Sequence, residues 1–253
     1  MRVFVYDKTF DGLLSAIFDA YMRQIFPDDL LGEGDIAPLT AMDSHTVCTE
    51  FDKVARVFAG LKKRLSPDGL RTLLYAWLSE QPGSDLLLFR YMRKVFATRR
   101  LIERDFSDPD VLAVSQLAKK VSCESHQLMG FVRFQETIEN MYFAAIAPRY
   151  NVLSLLLGHF SVRLRDQDWI LYDTARHYGI AFDRGIFREV SLDEGRILQG
   201  KLEPALLAEN ERLFQMLWKD YFSATAIRER VNPRLQARCM PRRFWAYLVE
   251  KHV

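Results

Sequence analysis

The sequence predicts an α+β protein in which an antiparallel sheet of about five or six strands packs against helices. Two observations support this class: residues 49–129 follow a helical period, and the chain after Gly130 changes to short alternating apolar runs. The 253 residues are 49% hydrophobic and 27% charged, which is typical of a globular chain. We expect a single domain over residues 1–253, with a helical subdomain at 49–129 and a sheet-containing core formed by 1–25 and 130–253.

The first element is a strand over Arg2–Tyr6, which is rich in valine and aromatic residues. A helix is expected over Asp11–Ile25, because its apolar residues recur on one side. Residues 27–48 contain two prolines and two glycines, so they are expected to form a loop or short pieces of strand.

The helical region contains two clear helix starts. Ser66-Pro67-Asp68 and Ser107-Asp108-Pro109-Asp110 each place a capping side chain beside a proline, with an acid in the first turn. Gln81-Pro82-Gly83-Ser84 predicts a turn between helices. The helices expected here are 50–64, 67–80, 85–104 and 109–122.

After Gly130, short apolar or alternating runs predict strands. These strands are 131–135, 141–147, 169–173, 177–182 and 186–190. Glu136–Asn140 is expected to be a hairpin loop, Asp183–Gly185 a tight turn, and Asn151 the cap of a helix that runs to about Val162. The remaining helices are predicted at 193–200, at 204–223, in a short piece opened by Asn232-Pro233, and at 242–250.

Charge is distributed unevenly along a chain whose net charge is +2. The first fifty residues carry three basic and nine acidic side chains, whereas residues 219–253 carry eight basic and three acidic ones among aromatic rings. Because guanidinium groups bind phosphates and flat rings stack on bases, this region predicts a polyanionic partner with phosphates and bases, such as a nucleic acid. Its candidate contact residues are Lys219, Arg234, Arg238, Arg242, Arg243 and Trp245.

Arg242 and Arg243 follow Pro241 in the first turn of an expected helix, where positive charge is unfavourable to the helix dipole. Helix stability therefore does not account for them, and we expect them to serve a contact. That contact is either a ligand or an internal carboxylate, and the sequence leaves both readings open.

The helix expected at 85–104 supplies a second basic segment. At about 100° per residue, its cations share one face. They are Arg90, Arg93, Lys94, Arg100 and Arg104. The face is either a solvated surface paired with the acidic N-terminal region or a track for a polyanion.

Arg133 lies between apolar residues in an expected strand, so its charge must face solvent, a partner acid or a ligand. Alternation places Arg133 on one face with Phe131 and Gln135. The candidate acid–base residues are His126, His159 and Asp173, although a structural role is the simpler reading for both histidines.

The sequence lacks the phosphate-binding, serine-hydrolase and zinc-deaminase signatures, and its histidines do not have metal-ligand spacing. We therefore predict no metal and no cofactor. Cys48, Cys123 and Cys239 are too scattered for a disulfide framework and are expected to be buried reduced thiols. Since no signal-peptide core and no membrane-length apolar run is found, we expect a cytoplasmic protein with no membrane partner.

A set of short motifs extends over nearly the whole chain. It comprises Val5–Asp7 with Thr9–Leu14, Glu124–His126, Met129–Phe134, Tyr142–Pro148, Gly158–Phe160, Trp169–Asp173, and Leu217–Lys219 through Asn232-Pro233 to Met240–Trp245. Together they resemble one bacterial family of uncharacterised, probable DNA-metabolism proteins. Family members often have proline before the His-Phe pair, where this chain has Gly158.

The resemblance implies association with a radical SAM protein of DNA modification or repair. Some relatives carry a uracil-DNA-glycosylase-like domain, so the resemblance also implies a protein of that kind as a further partner. This chain lacks the cysteine cluster of an iron–sulfur centre, and radical chemistry is therefore expected to belong to the partner. The resemblance supplies no catalytic residues.

The leading hypothesis is an accessory protein of DNA metabolism or repair that binds nucleic acid through its basic–aromatic C-terminal region. One alternative is an enzyme that acts on a damaged or modified nucleobase, with His126, His159 or Asp173 as acid or base. The other is a protein-interaction subunit without direct DNA contact. The residues leave open whether the protein is catalytic.

Overall fold

The computed structural model of the protein describes residues 1–36, 38–41, 43–98, 100–192, 197–198 and 201–251. The chain forms two compact units, unit 1 (Met1–Ser122) and unit 2 (Cys123–Val253). Helices combine with a three-stranded and a five-stranded sheet, which confirms the predicted α+β class. That all of 1–253 behaves as one domain stays a prediction.

Unit 1 contains a parallel sheet with the strand order β2-β1-β3. Its central strand is β1 (Arg2–Tyr6), as predicted, with β2 (Asp29–Gly32) on one side and β3 (Asp43–Thr46) on the other. Residues 27–48 thus supply short strands, which was one of the two predicted outcomes. Sequence patterning did not indicate that these strands pair in parallel.

Helices of unit 1 share one hydrophobic core with this sheet. They are α1 (Phe10–Arg23), α2 (Phe51–Lys62), α3 (Pro67–Trp77) and α4 (Ser84–Ala97). Ser66 caps α3 as predicted, because its hydroxyl accepts the Gly69 N–H and Pro67 occupies the first turn. The next helix, α5 (Pro109–Phe131), begins at the predicted proline and contains the boundary between the two units.

Helix α4 ends at Ala97 and not at residue 104 as predicted. The chain leaves the helix so that Glu103 can reach the start of α3, where its carboxylate accepts both the N–H and the hydroxyl of Ser66. A carboxylate at a helix N-terminus satisfies free N–H groups and complements the helix dipole. This long-range cap explains why the helical period of the sequence overruns the real helix.

Unit 2 contains a five-stranded sheet with the order β4-β5-β6-β7-β8. The strands are β4 (Gln135–Glu136), β5 (Tyr142–Ile146), β6 (Trp169–Asp173), β7 (Tyr178–Asp183) and β8 (Ile186–Val190). All neighbours pair antiparallel except β5 and β6, which are parallel and are joined through the helix α6 (Leu153–Arg163). Arg184 and Gly185 have φ angles of 47° and 92°, which suits the predicted tight turn between β7 and β8.

An aromatic cluster forms the centre of unit 2. Trp169 in β6 is fully buried and stacks on Phe182 of β7, with 5.3 Å between the ring centroids. Phe160 of α6 and Phe134 approach the same indole edge-on. Such ring pairs add to the large apolar area that each ring buries. The cluster therefore fixes α6 against the sheet and places Phe134 and Phe160 for the site described below.

The predicted strand 131–135 is wrong for most of its length, because α5 continues to Phe131 and only Gln135 joins β4. Glu124, Ser125 and Leu128 are buried on this last part of α5. Their spacing is helical, but the polar residues in the set hid the period from a hydrophobicity pattern. Asn151, the predicted cap of α6, lies two residues before the helix, which begins at Leu153. Its side chain accepts a hydrogen bond from the Tyr178 hydroxyl at 2.5 Å.

The C-terminal helices differ from those predicted. They are η1 (Pro204–Leu206), α7 (Glu211–Ala224), η2 (Arg228–Arg230), α8 (Pro233–Cys239), η3 (Arg242–Tyr247) and η4 (Val249–Lys251), where η denotes a 3₁₀ turn. The predicted helix 204–223 is interrupted because Leu206 and Ala208 hydrogen-bond to the β4 hairpin. The predicted helix 193–200 is wrong at Ile197–Leu198, a strand (β9) that pairs with β10 (Lys201–Leu202), and its other residues lie outside the described ranges.

Cys48, Cys123 and Cys239 are free thiols, but all are exposed, so the prediction that they are buried is wrong. Cys123 shows the reason: it occupies a solvent-facing position of α5 beside the exposed Ser122. In the ranges that the structure describes, no helix has the length and apolar character to cross a membrane.

The core of unit 2 can be tested through α6. Leu156 is fully buried, and Val162 on the same helix is 77% exposed. We expect Leu156→Ala to lower the free energy of unfolding by about 2–5 kcal/mol, because it leaves a cavity. Val162→Ala is the matched control and should change it by less than about 0.5 kcal/mol. Urea unfolding followed by circular dichroism checks this, and equal effects of the two variants would contradict the packing described.

Candidate functional site

Two cations of α4 form ion pairs with carboxylates of unit 1. Arg90 Nη2 lies 3.0 Å from Asp110 Oδ1, and Lys94 Nζ lies 2.6 Å from Asp108 Oδ2 and 2.8 Å from Asp110 Oδ2. Burial alone lowers the pKa of Lys94, but its hydrogen bonds to the two carboxylates outweigh burial and raise the pKa. The partners of these cations are therefore at the start of α5 and not in the acidic N-terminal region.

The other members of the predicted basic stripe do not complete it. Arg93 holds its guanidinium 3.9 Å from the centroid of the Phe26 ring. Arg100 and Arg104 lie beyond the end of α4, so they share no helical face with Arg90. The prediction of a five-cation stripe is wrong, and the reason is the early end of α4.

The candidate acid–base residues occupy different settings. His126 is exposed, whereas His159 is half-buried and meets the Phe160 ring edge-on. Asp173 is fully buried and accepts two backbone N–H groups and the Arg176 side chain, which secures the turn after β6. Burial raises the pKa of Asp173 and these hydrogen bonds oppose the rise. Within the described residues, no hydrogen bond joins any two of the three candidates.

Arg133 lies in the segment between α5 and β4 and not in a strand, which corrects its predicted position. Its Nη1 donates to the carbonyl oxygens of Gly130 and Val132, and its Nη2 donates to Glu250 Oε1 at 2.8 Å. The predicted alternatives for this charge were solvent, a partner acid and a ligand. In the structure the charge meets a partner acid, Glu250.

Glu250 connects three parts of unit 2. Its side chain is 1% exposed, and its second oxygen accepts the indole N–H of Trp218 at 2.9 Å. The Arg133 guanidinium also lies 5.4 Å from the Trp218 ring centroid, a cation–π distance. Arg133, Trp218 and Glu250 are called the Glu250 clamp below. The clamp fixes both the position and the orientation of the indole.

Arg243 has an internal partner, which was one of its two predicted contacts. Its Nη2 lies 3.0 Å from Glu124 Oε1, and the buried Glu124 carboxylate also accepts the N–H groups of Arg149 and Tyr150. The acid comes from α5. Arg243 therefore anchors the C-terminal segment to α5.

Arg242 has a different environment. It is exposed, and its guanidinium lies 5.8 Å from the ring centroid of Trp245. Lys251 covers the same ring at 4.6 Å and lies 5.7 Å from the ring of Phe222 on α7. The predicted residues Arg242 and Trp245 are thus brought together beside the end of α7.

Several cations in α7 and in the chain that follows it form no ion pair within the described part of the chain. They are Arg212, Lys219, Arg230, Arg234, Arg238 and Arg242. Arg234 and Arg238 are exposed and lie four residues apart on α8, and like charges at this spacing destabilise a helix. Their presence is therefore not explained by the stability of α8.

The outer face of α7 is apolar and aromatic. Phe214, Leu217 and Tyr221 are more than half exposed, and Leu213 is nearly so. Trp218 remains 39% exposed in the clamp, with its ring 5.8 Å from that of Tyr221 and tilted by 31°. An apolar stripe of this kind on a helix usually faces a core, so its exposure indicates a binding surface.

A groove of about 490 Å³ lies in unit 2 beside this helix. Its aromatic walls are Phe134, Tyr142, Phe160, Phe214 and Trp218. Pockets of this size with apolar walls and a few polar groups are typical of small-molecule and cofactor sites. The groove is the best candidate site that the described residues form, because it adjoins both the clamp and the exposed face of α7.

The polar lining of the groove is mixed in charge. It consists of Arg133, Glu136, Arg163, Glu211 and Gln215. Glu211 is buried and accepts the Glu136 N–H at 3.0 Å and the Gln215 amide at 2.8 Å. Arg163 is exposed at the end of α6 and forms no ion pair within the described ranges.

Sequence reasoning selected Arg133 but missed Arg163, Glu211 and Gln215. The missed signal was the helical period of α7. Glu211, Gln215 and Trp218 recur at intervals of four and three residues, so they lie on the same side of the helix. No pattern in the sequence could have placed Arg163 beside them, because it belongs to a different helix.

The family of the chain follows from a comparison with known domains. A family model described as a domain of unknown function, DUF4130, matches residues 82–250. The chain belongs to the DUF4130 family. Every residue of the groove, and the Glu250 clamp with it, lies inside the DUF4130 match. No curated protein and no solved structure matches the chain significantly.

The Glu250 clamp has a testable pH dependence. Burial alone raises the pKa of Glu250, but the hydrogen bonds from Arg133 and Trp218 hold it below its ordinary value of 4.5. The ionised carboxylate therefore stabilises the fold above about pH 4.5, and this contribution is lost as the pH falls through the lower folded value. We expect Glu250→Gln to cost about 1–3 kcal/mol of unfolding free energy at pH 7, with a smaller difference in acid.

The control for this prediction is Glu209→Gln, which removes an exposed carboxylate that forms no ion pair with any residue in the described ranges. Urea unfolding curves at pH 7 and at acidic pH measure both variants. A Glu250→Gln cost that stays constant with pH, or equals that of the control, would contradict the role assigned to the clamp.

Proposed function

We propose that this member of the DUF4130 family is an accessory protein of DNA metabolism or repair that binds single-stranded DNA through its C-terminal region. The observation that carries the proposal is the combination of an exposed aromatic helix face with arginines that form no ion pair within the described ranges. Cationic grooves with stacking rings are the usual means of holding a single strand without sequence preference.

The phosphate-binding part of the proposal rests on charges that the fold does not use. Arg234, Arg238 and Arg242 are exposed and have no acidic partner in the described ranges. In contrast, Arg243 is engaged by Glu124, and Arg133 is engaged by Glu250. We therefore assign the phosphate contacts to the first three arginines and structural roles to the other two.

The base-stacking part rests on α7. Trp218 and Tyr221 present neighbouring rings to solvent, and the clamp holds the indole in one orientation. A ring whose orientation is already fixed loses little conformational freedom when a base stacks on it. Stacking requires unpaired bases, which favours a single strand over a duplex as the ligand.

The partner in this proposal is the radical SAM protein that the sequence resemblance implies. The resemblance supports this partnership, and the exposed leucines of α7 supply a surface for it. Leu213 and Leu217 are 48% and 52% exposed, and aliphatic side chains contribute less to nucleic-acid stacking than rings do. A protein partner is therefore the second candidate ligand of α7, and a uracil-DNA-glycosylase-like protein is a further one.

The phosphate contacts are testable by salt dependence. We expect Arg234→Ala/Arg238→Ala to weaken binding of a fluorescent single-stranded DNA and to reduce the slope of log K against log salt by about 1–1.5, as the loss of two phosphate contacts requires. Fluorescence anisotropy over a salt series measures both quantities.

The matched control is Lys63→Ala/Lys119→Ala, which removes two exposed cations of unit 1. It lowers the net charge equally and should leave the slope almost unchanged. If the two double variants behave alike, the C-terminal region is not the phosphate-binding surface.

The protein partner is testable by co-purification. We expect the radical SAM protein encoded by the same organism to co-purify with this chain after nuclease treatment, and Leu213→Ser/Leu217→Ser to reduce its recovery several-fold, because exposed apolar area drives protein contacts. Leu235→Ser on α8 is the control, since this leucine is also 53% exposed. Recovery that disappears with nuclease would assign the association to DNA.

A further inference from the structure

The groove beside α7 contains hydrogen-bonding groups that the protein itself leaves unused. In the described part of the chain, the Glu136 carboxylate, the Tyr142 hydroxyl and the Gln215 amide oxygen form no hydrogen bond or ion pair. The carboxylate and the amide oxygen only accept hydrogen bonds, and the Tyr142 hydroxyl accepts as well as donates. The groove therefore selects a ligand that donates hydrogen bonds between aromatic walls.

The acceptors are close enough to influence one another. Burial raises the pKa of Tyr142, and the negative charges of Glu136 and Glu211 raise it further. Tyr142 and Glu136 are also adjacent in the register of β4 and β5. One end of the groove is thus negative, and this end meets the hydrogen-bond donors of a ligand.

The remaining polar residues of the lining are cations. Arg163 is exposed and without an ion pair in the described ranges, and it is available to a phosphate. Arg133 has a buried Nε–H without a partner among the described residues, although its other nitrogens are engaged. Among the described residues, the groove therefore combines hydrogen-bond acceptors, a cation without an ion pair and stacking rings, which matches a nucleotide better than a purely apolar ligand.

We propose that the groove takes one unpaired guanine from a DNA strand, with its ring between Phe214 and Trp218 and its donor edge on Glu136. This proposal rests on the proposed function and names the base that the site prefers. Guanine presents its ring N1–H and its amino group side by side, so both can donate to the two oxygens of one carboxylate. Arg163 contacts the phosphate of the same nucleotide.

The other bases lack this pair of donors. Thymine and uracil have one ring N–H between two carbonyl oxygens, and these oxygens repel a carboxylate. Adenine and cytosine place an amino group beside a ring nitrogen that carries a lone pair, so only one donor is available to Glu136. The lining therefore ranks guanine first and the two pyrimidine diones last.

The test uses the full chain and short DNA strands in which every nucleotide except the central one is abasic. The central base is guanine, adenine, cytosine, thymine or uracil, and each strand competes with a fluorescent single strand in an anisotropy assay. We expect guanine to bind at least about tenfold more tightly than thymine or uracil, the difference that one hydrogen bond to a charged group makes. A fully abasic strand measures the contribution of the backbone alone.

Glu136→Gln is the diagnostic variant, because the amide keeps the size of the side chain but offers only one acceptor oxygen. The preference for guanine should fall to within about threefold, the loss of one charge-assisted hydrogen bond. Glu139→Gln is the matched control, since it removes an exposed carboxylate from the same hairpin and should keep the full preference. The circular dichroism spectra and urea midpoints of both variants establish that they are folded.

The outcomes separate this inference from the proposed function. If no strand binds, including the fluorescent one, the proposed function fails and the guanine site fails with it. If strands bind with equal affinity for every central base, or bind uracil most tightly, the guanine site is wrong and DNA binding stands. An unchanged preference in Glu136→Gln also overturns the site, and if that variant does not fold, the series with the unmodified protein decides.

Discussion

The arrangement of unit 2 depends on one buried carboxylate. Glu250 accepts hydrogen bonds from Arg133 and from the indole of Trp218, so it connects the segment after α5, the middle of α7 and the last 3₁₀ turn. A buried charge of this kind is tolerated only when it is paired and hydrogen-bonded, and both oxygens have a partner here. Without it, the guanidinium would lose its acidic partner and the indole N–H its acceptor. The wall of the groove and the exposed ring of the binding surface both follow from this contact.

The same logic separates two classes of arginine in the C-terminal region. Arg133 and Arg243 form ion pairs with buried carboxylates inside the fold. Arg234, Arg238 and Arg242 meet none within the described ranges, and their charge remains available to a partner. A local excess of positive charge in the sequence therefore contains both structural and binding residues. Only the positions of the carboxylates distinguish the two classes, and this distinction selects the arginines that are proposed to contact DNA.

Local signals in the sequence predicted much of the fold. The cap at Ser66, the prolines at the starts of α3 and α8, and the tight turn at Arg184-Gly185 all occur where the residues indicated them. Features that depend on distant residues were not predicted. Arg133 and Glu250 are 117 residues apart, and Arg243 and Glu124 are 119 apart, so no local pattern reveals either pair. The early end of α4 has the same origin, because Glu103 leaves the helix to cap Ser66. The candidate site shares this limit: Arg133 was selected from the sequence, whereas Arg163 and the aromatic walls come together only because the groove is formed by elements that are distant in sequence.

The C-terminal region of unit 2 is the proposed surface for single-stranded DNA. Hydrogen–deuterium exchange with and without a single-stranded oligonucleotide tests it most directly, because it reports every segment of the chain in one experiment. We expect slower exchange in Glu211–Ala224 and in Pro233–Lys251 when DNA is bound, and unchanged exchange in Ile186–Val190 on the edge of the sheet. Protection confined to residues 1–122, or no protection at a DNA concentration that saturates binding, would contradict it.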